Sequence, residues 1–187
     1  AIYSEGCDDE NGDVIVYNTH DLSLLHTIQN SDSLRDLIFS PDGQYLALRS
    51  PETFSVVETA TWTEVVSQSR STGDNFFFNS VAWSGDSTRV IVATGNNGGH
   101  MYEAPDWNEV EGASSTGILV THHPSEEKIW YVGSDGSGNV YEYQDVPLAG
   151  KRWVLTRSFT IQSPVYDLAA SPDGDALIAN DGSTTYV

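Results

Sequence analysis

An all-β fold of repeated small sheets is what this sequence predicts, on three observations. Nearly the same nine residues occur twice, as SPDGQYLAL at 40–48 and SPDGDALIA at 171–179. Two drifted copies lie between them, so that four stretches align: LRDLIFSPDGQYLAL (34–48), FNSVAWSGDSTRVIV (78–92), GILVTHHPSEEKIWY (117–131) and VYDLAASPDGDALIA (165–179). No stretch carries a 3.6-residue apolar period, and short apolar runs bounded by turn residues fill the chain.

The elements follow in order. AIYS at the start aligns with ALRS at 47–50 and reads as the second strand of a unit. VIVYNTHDLSLLHTIQ then supplies two strands joined by a short polar turn. Each aligned stretch reads as a hairpin whose turn begins at Ser40, Ser84, His123 or Ser171, at spacings of 44, 39 and 48 residues. Such turns use Pro to preset φ, Asp to bond its own backbone and Gly to accept positive φ. Two more strands follow each hairpin, as in FSVVETATWTEVVSQS and HMYEAPDWNEVEGA. Leu22, Trp62 and Trp107 occupy one place in the unit, just after the polar turn. In the fourth unit that turn lengthens to QDVPLAGKR, and Trp153 takes the place. Recurrence in register predicts packing between units. TTYV at the end aligns with a third strand.

Four strands in about 43 residues is the signature of a β-propeller blade. The predicted division is a partial blade at 1–31, blades at 32–73, 74–115 and 116–162, and a partial blade at 163–187. That is about 4.5 blades, which leaves the ring open. A fragment of a larger propeller is the first expectation, because repeat arrays need capped ends. A ring completed by another chain, through self-association of the open end blades, is the second.

These residues resemble the WD-repeat propeller family. LRDLIFSPDGQYLAL is similar to the first two strands of its repeat and VIVYNTHDLSLLHTI to the third and fourth, and the likeness covers the whole chain. The family's Gly-His and Trp-Asp dipeptides are missing from their places in the repeat, and Asp106-Trp107 stands in reversed order. Propellers with SPDG turns that accompany serine peptidases or periplasmic transport proteins look similar as well. The WD-repeat resemblance implies a rigid, non-catalytic scaffold that binds another protein. The alternative is the propeller of a larger enzyme, lactonase-like or peptidase-associated, with its catalytic residues outside this chain.

Charge narrows the classes of partner. There are 27 acidic residues against 8 basic ones, a formal net charge of −19, and Lys128 and Lys151 are the only lysines. Such a surface repels phosphate backbones and anionic membranes, so neither nucleic acid nor membrane is expected as a partner. The even spread of carboxylates favours adaptation to high salt, as in halophilic proteins, over one acidic face for a basic partner. The cytoplasm is the default compartment, and nothing in the residues assigns another.

No enzyme chemistry stands out, and no cofactor or metal is expected. Cys7, the only cysteine, sits before DDENGD, the wrong setting for a reactive thiolate. The stretch 7–14 fails the EF-hand order because Cys7 stands where an aspartate is required. It reads as a glycine-rich turn, as do SDGSGN (134–139) and TGNNGG (94–99). His122 and His123 are expected to point to opposite faces of a strand, one packed and one exposed. No G-x-S-x-G and no phosphate loop occurs.

The residues predicted to bind a protein partner lie in loops around one mouth of the channel. They are Phe76, Phe77, Arg35, Arg49, Asn96, Asn97 and Tyr166. Phe76 and Phe77 align with the polar Asp32 and Ser33, which predicts that at least one lies near the surface, either as an apolar spot on the rim or as cover for a neighbouring blade, whereas Phe78 aligns with Leu34 and Val165 and is predicted to be core.

Overall fold

A computed structural model describes residues 2–4, 12–29, 32–71, 73, 76–95, 98–110, 117–133, 135–161, 165–180 and 185–186. Among them are eighteen strands and no helix, so no helix is present that is long and apolar enough to cross a membrane. The strands form five antiparallel sheets, each a simple meander. The first holds β1 (Ile2–Ser4), β2 (Val14–Tyr17) and β3 (Leu24–Ile28). The second holds β4 (Asp36–Phe39), β5 (Tyr45–Arg49), β6 (Thr53–Glu58) and β7 (Thr63–Ser69). The third holds β8 (Ser80–Trp83), β9 (Arg89–Ala93), β10 (Gly99–Glu103) and β11 (Asn108–Val110). The fourth holds β12 (Leu119–His122), β13 (Lys128–Val132), β14 (Ser137–Val146) and β15 (Gly150–Thr160). The fifth holds β16 (Asp167–Ala170), β17 (Leu177–Asn180) and β18 (Thr185–Tyr186).

The hairpin turns explain the repeated sequence. Ser40 Oγ donates to Asp42 Oδ1 at 2.6 Å and accepts the Tyr45 amide at 3.0 Å, while Asp42 Oδ1 accepts the Gln44 amide. Ser84 with Asp86 and Ser171 with Asp173 repeat the arrangement. The fourth hairpin reaches the same end differently, since His123 Nδ1 accepts the amides of Ser125 and Glu126. Backbone conformation repeats too. Leu22, Trp62 and Trp107 have φ of 58°, 56° and 53°, a left-handed conformation that side chains enter at a cost. A turn that ends this way is built into each of the three hairpins.

Every interior sheet is buried on both faces, which is why its central strands are continuously apolar. Side chains alternate along a strand. On β9, Val90 and Val92 join a cluster with Phe54, Val56 and Val66 of the second sheet, and Ile91 and Ala93 join one with Ile129 and Tyr131 of the fourth. On β13, Ile129 and Tyr131 face the third sheet while Trp130 and Val132 meet Leu168 and Ala179 of the fifth. A last cluster joins Val14 and Val16 of the first sheet to Leu46, Leu48 and Val57 of the second. Four seams thus hold five sheets in sequence. Each fully buried Val, Ile or Leu adds about 1.5–3 kcal/mol before chain entropy is counted.

The recurrent large residue packs across these seams. Trp62 stacks on His26 of the first sheet with ring centroids 4.8 Å apart. Trp107 meets Tyr45 of the second sheet edge-on at 4.7 Å, and Trp153 Nε1 points at Met101 Sδ of the third at 3.1 Å. Leu22, with no described sheet before it, is 70% exposed.

Candidate functional site

The first strands β4, β8, β12 and β16 lie side by side in that order. Together they wall a cavity of about 490 Å³, lined by Asp36, Ser80, Leu119 and Asp167 where the strands begin and by Phe39, Trp83, His122 and Ala170 where they end. One hydrogen bond recurs at the beginning of each strand. The amides of Arg35, Asn79, Ile118 and Tyr166 donate to the carbonyls of Arg49, Ala93, Val132 and Asn180 at 2.7, 2.8, 3.0 and 2.7 Å. These pairs fix four equivalent positions around one rim.

Of the predicted residues, Arg49 and Tyr166 line the cavity. Arg35 and Tyr166 are equivalent positions of this rim, both exposed, with Tyr166 65% accessible. Phe77 is 47% exposed, with the Arg70 guanidinium 4.3 Å over its ring. Its carbonyl accepts a bond from Asn79 Nδ2 at 2.9 Å, which ties it to the same rim. Phe76 is half-buried and packs edge-on against Phe78 at 5.7 Å, and Phe78 is buried.

Arg49 belongs to the rim but is not free. It is 8% exposed, its Nε lies 2.5 Å from Asp36 Oδ2, and a second guanidinium nitrogen donates to the Phe78 carbonyl at 2.7 Å. It joins the second sheet to the third. Asn96 and Asn97, together with Cys7 and Ser134, lie outside the described residues.

The expectation for the histidine pair needs correction. His122 and His123 are both buried, at 7% and 5% exposure, because the fourth sheet is covered on both faces. His123 packs at 5.6 Å on Trp130, and its Nε2 lies where a side chain at Gly174 would begin. His122 meets Trp153 edge-on, and its Nδ1–H donates to the His123 carbonyl at 2.7 Å. Its Nε2 is sealed without a hydrogen-bond partner among the described residues. Burial lowers its pKa below the ordinary 6.5. Among the described residues no three His, Cys, Asp or Glu side chains come together in a way that holds a metal ion.

Asn79, Ser80, Thr121 and Asp167 also line the cavity, and the sequence reading did not single them out. Their signal is positional: Asn79 shares a column with Arg35 and Tyr166, and Ser80 and Asp167 share one with Asp36. Set beside known proteins, the chain matches no family model, and no curated protein matches it.

Proposed function

We propose that the five sheets are successive blades of a WD-repeat-like β-propeller. On this reading the chain is a non-catalytic scaffold that binds another protein at the rim where the first strands begin. The observation that carries it is the convergence of four first strands on one cavity, with Tyr166 exposed in its lining and Arg35 and Phe77 exposed in the segments that lead into β4 and β8. Exposed aromatics and arginines are the residue types that dominate binding energy at protein interfaces. A rigid sheet array supplies the preorganisation such a surface needs.

The test compares the wild type with Phe77→Ala and Tyr166→Ala. Proteins crosslinked to the wild type in cells are identified, purified and titrated against each variant. A real partner loses about tenfold or more in affinity at the rim variants, while melting temperatures stay within a few degrees. Unchanged affinity for every captured protein overturns the rim reading. The fold half is tested by an experimental structure, in which the first strands must surround a central channel.

One observation favours a second reading, self-association. Ile38 and Phe39 on β4 are 37% and 41% exposed and face the cavity. Light scattering on the wild type and on Phe39→Glu tests it, since a dimer lost in the variant supports assembly through β4. The dispersed carboxylates we read as salt adaptation. A melting temperature that rises steeply from low to molar potassium chloride supports this, and a flat response sinks it.

A further inference from the structure

Asp36 and Asp167 hold the same position in their repeats, at the start of β4 and β16, and both line the cavity. Their cross-strand partners differ. Asp36 stands opposite Arg49, and Asp167 stands opposite Asn180. The backbone around the two is alike, since the Arg35 amide bonds the Arg49 carbonyl and the Tyr166 amide bonds the Asn180 carbonyl, each at 2.7 Å. The guanidinium that neutralises Asp36 therefore has no counterpart at Asp167. All eight lysines and arginines of the chain lie among the described residues, and none forms an ion pair with Asp167. Among the described residues, Asp167 Oδ1 accepts only the amide of Leu168, at 2.9 Å.

We propose that the cavity mouth at Asp167 receives an arginine side chain of the partner protein, which supplies from outside the guanidinium that Arg49 supplies to Asp36 from within. The proposal rests on the rim reading above and names the chemistry of its partner. Three features support a guanidinium. Asp167 is exposed on the cavity wall and already uses one oxygen on a backbone amide, so it presents a localised negative charge to incoming donors. Tyr166, in the lining of the same cavity, offers a ring that is 65% exposed, a face of the kind on which a guanidinium stacks. The net charge of −19 attracts cations toward the mouth and raises the rate of encounter. A lone carboxylate does not make a metal site, which needs several converging ligands.

The probe is a capped arginine, N-acetyl-arginine methylamide, with capped citrulline as its uncharged isostere. Binding is followed by NMR titration of the full chain at low salt. The expected result is at least tenfold tighter binding of capped arginine than of capped citrulline, weakening as salt is added. Asp167→Asn should lose the preference. Asn180→Arg, which restores the residue found opposite Asp36, should block the site from within and lose it too. If Asn180→Arg fails to fold, the nearly isosteric Asp167→Asn decides alone. Equal binding of the two probes, or an unchanged preference in Asp167→Asn, overturns the proposal. The two readings fail separately. Capped arginine that binds while no partner depends on Phe77 or Tyr166 sinks the scaffold reading, and a rim-dependent partner indifferent to Asp167→Asn sinks this one.

Discussion

The seam between the second and third sheets and the seam between the third and fourth solve one packing problem in opposite ways. In the first, Phe54 on β6 fills the space and the facing sheet offers Val92. In the second, the residue in the place of Phe54 is Gly99, and the large residue comes from the other side as Tyr131, in the place of Val92. The fit is close: a Cβ on Gly99 would lie 1.8 Å from the Tyr131 hydroxyl oxygen. The swap moves the large ring to the other side of the seam and changes its chemistry. Phe54 buries no polar atom, whereas Tyr131 buries a hydroxyl with no hydrogen-bond partner among the described residues. His122 Nε2, in the wall of the same seam, is the other such atom. Among the described residues no sealed side-chain polar atom of the earlier seam lacks a partner, and there Trp83 Nε1 donates to the Ile38 carbonyl at 3.0 Å and Arg49 is held by Asp36 and the Phe78 carbonyl. Arg89 ties the later seam by pairing with Glu103 and Glu127 and lying 4.8 Å over the Tyr143 ring. Those carboxylates are 35% and 42% exposed, so the contribution of these pairs is screened. Repeats of one unit can therefore be equal in shape and unequal in polar satisfaction.

The largest effect that tests this contrast is Phe54→Ala. Phe54 is fully buried and touches the rings of Phe78 and Tyr102. Its truncation should cost about 3–5 kcal/mol in urea unfolding. A loss below about 1 kcal/mol would mean that the seam closes around the gap and that no single residue carries it. Next comes Gly99→Ala, which should cost about 1–3 kcal/mol, because the fully buried Tyr131 ring has no room to move away. Adding Tyr131→Leu should recover part of that loss, and strict additivity of the two would show that they do not share the space.

Tyr131→Phe should act in the opposite direction. Removing a sealed hydroxyl that lacks a partner should raise stability by about 1 kcal/mol, whereas removing a bonded one lowers it by a similar amount. Its burial, with the neighbouring Tyr141 phenol adding to it, holds the Tyr131 phenol well above its ordinary pKa of 10. Absorbance near pH 11 should accordingly show the phenol un-ionised until the protein unfolds.

How much of this was legible in the sequence depended on the range of the contact. Hairpins were legible because Ser40, Asp42 and Gly43 make their bonds within five residues of one another. The left-handed turn residue was visible as a recurring Leu or Trp, though its φ was not. Alternation was misleading at His122 and His123, since in a sheet covered on both faces the two sides of a strand are both interior. Arg49 looked available because its partners, Asp36 on β4 and the Phe78 carbonyl just before β8, lie 13 and 29 residues away. Asp167 was passed over for the converse reason. Its distinction from Asp36 is an Asn in place of an Arg on the neighbouring strand, which shows only once the register is known.

The smallest expected effect concerns acid, and it bears on the later seam alone. His122 is buried beside Trp153, and that burial is the largest influence on its pKa. The His123 carbonyl, Glu127 and Asp86 favour the protonated ring, Arg89 opposes it, and the net result lies below the ordinary 6.5. The unfolded chain therefore takes up this proton before the folded one does. The stability linked to His122 is fully present above pH 6.5 and is lost as pH falls from there through the folded value. The slope cannot exceed about 1.4 kcal/mol per pH unit for one proton. Carboxylates titrate near pH 4, so the interval from about pH 7 to 5.5 isolates histidine. In His122→Asn a side-chain amide replaces the Nδ1–H donor to the His123 carbonyl, and the other four histidines remain. The difference between wild type and variant in urea midpoint should shrink as pH falls across that interval, and Trp153, edge-on to the ring at 6.2 Å, should report the local change. A difference that stays constant from pH 7 to 5.5 would mean that the folded protein takes up the proton as readily as the unfolded chain, and the contrast between the seams would then rest on Tyr131 alone.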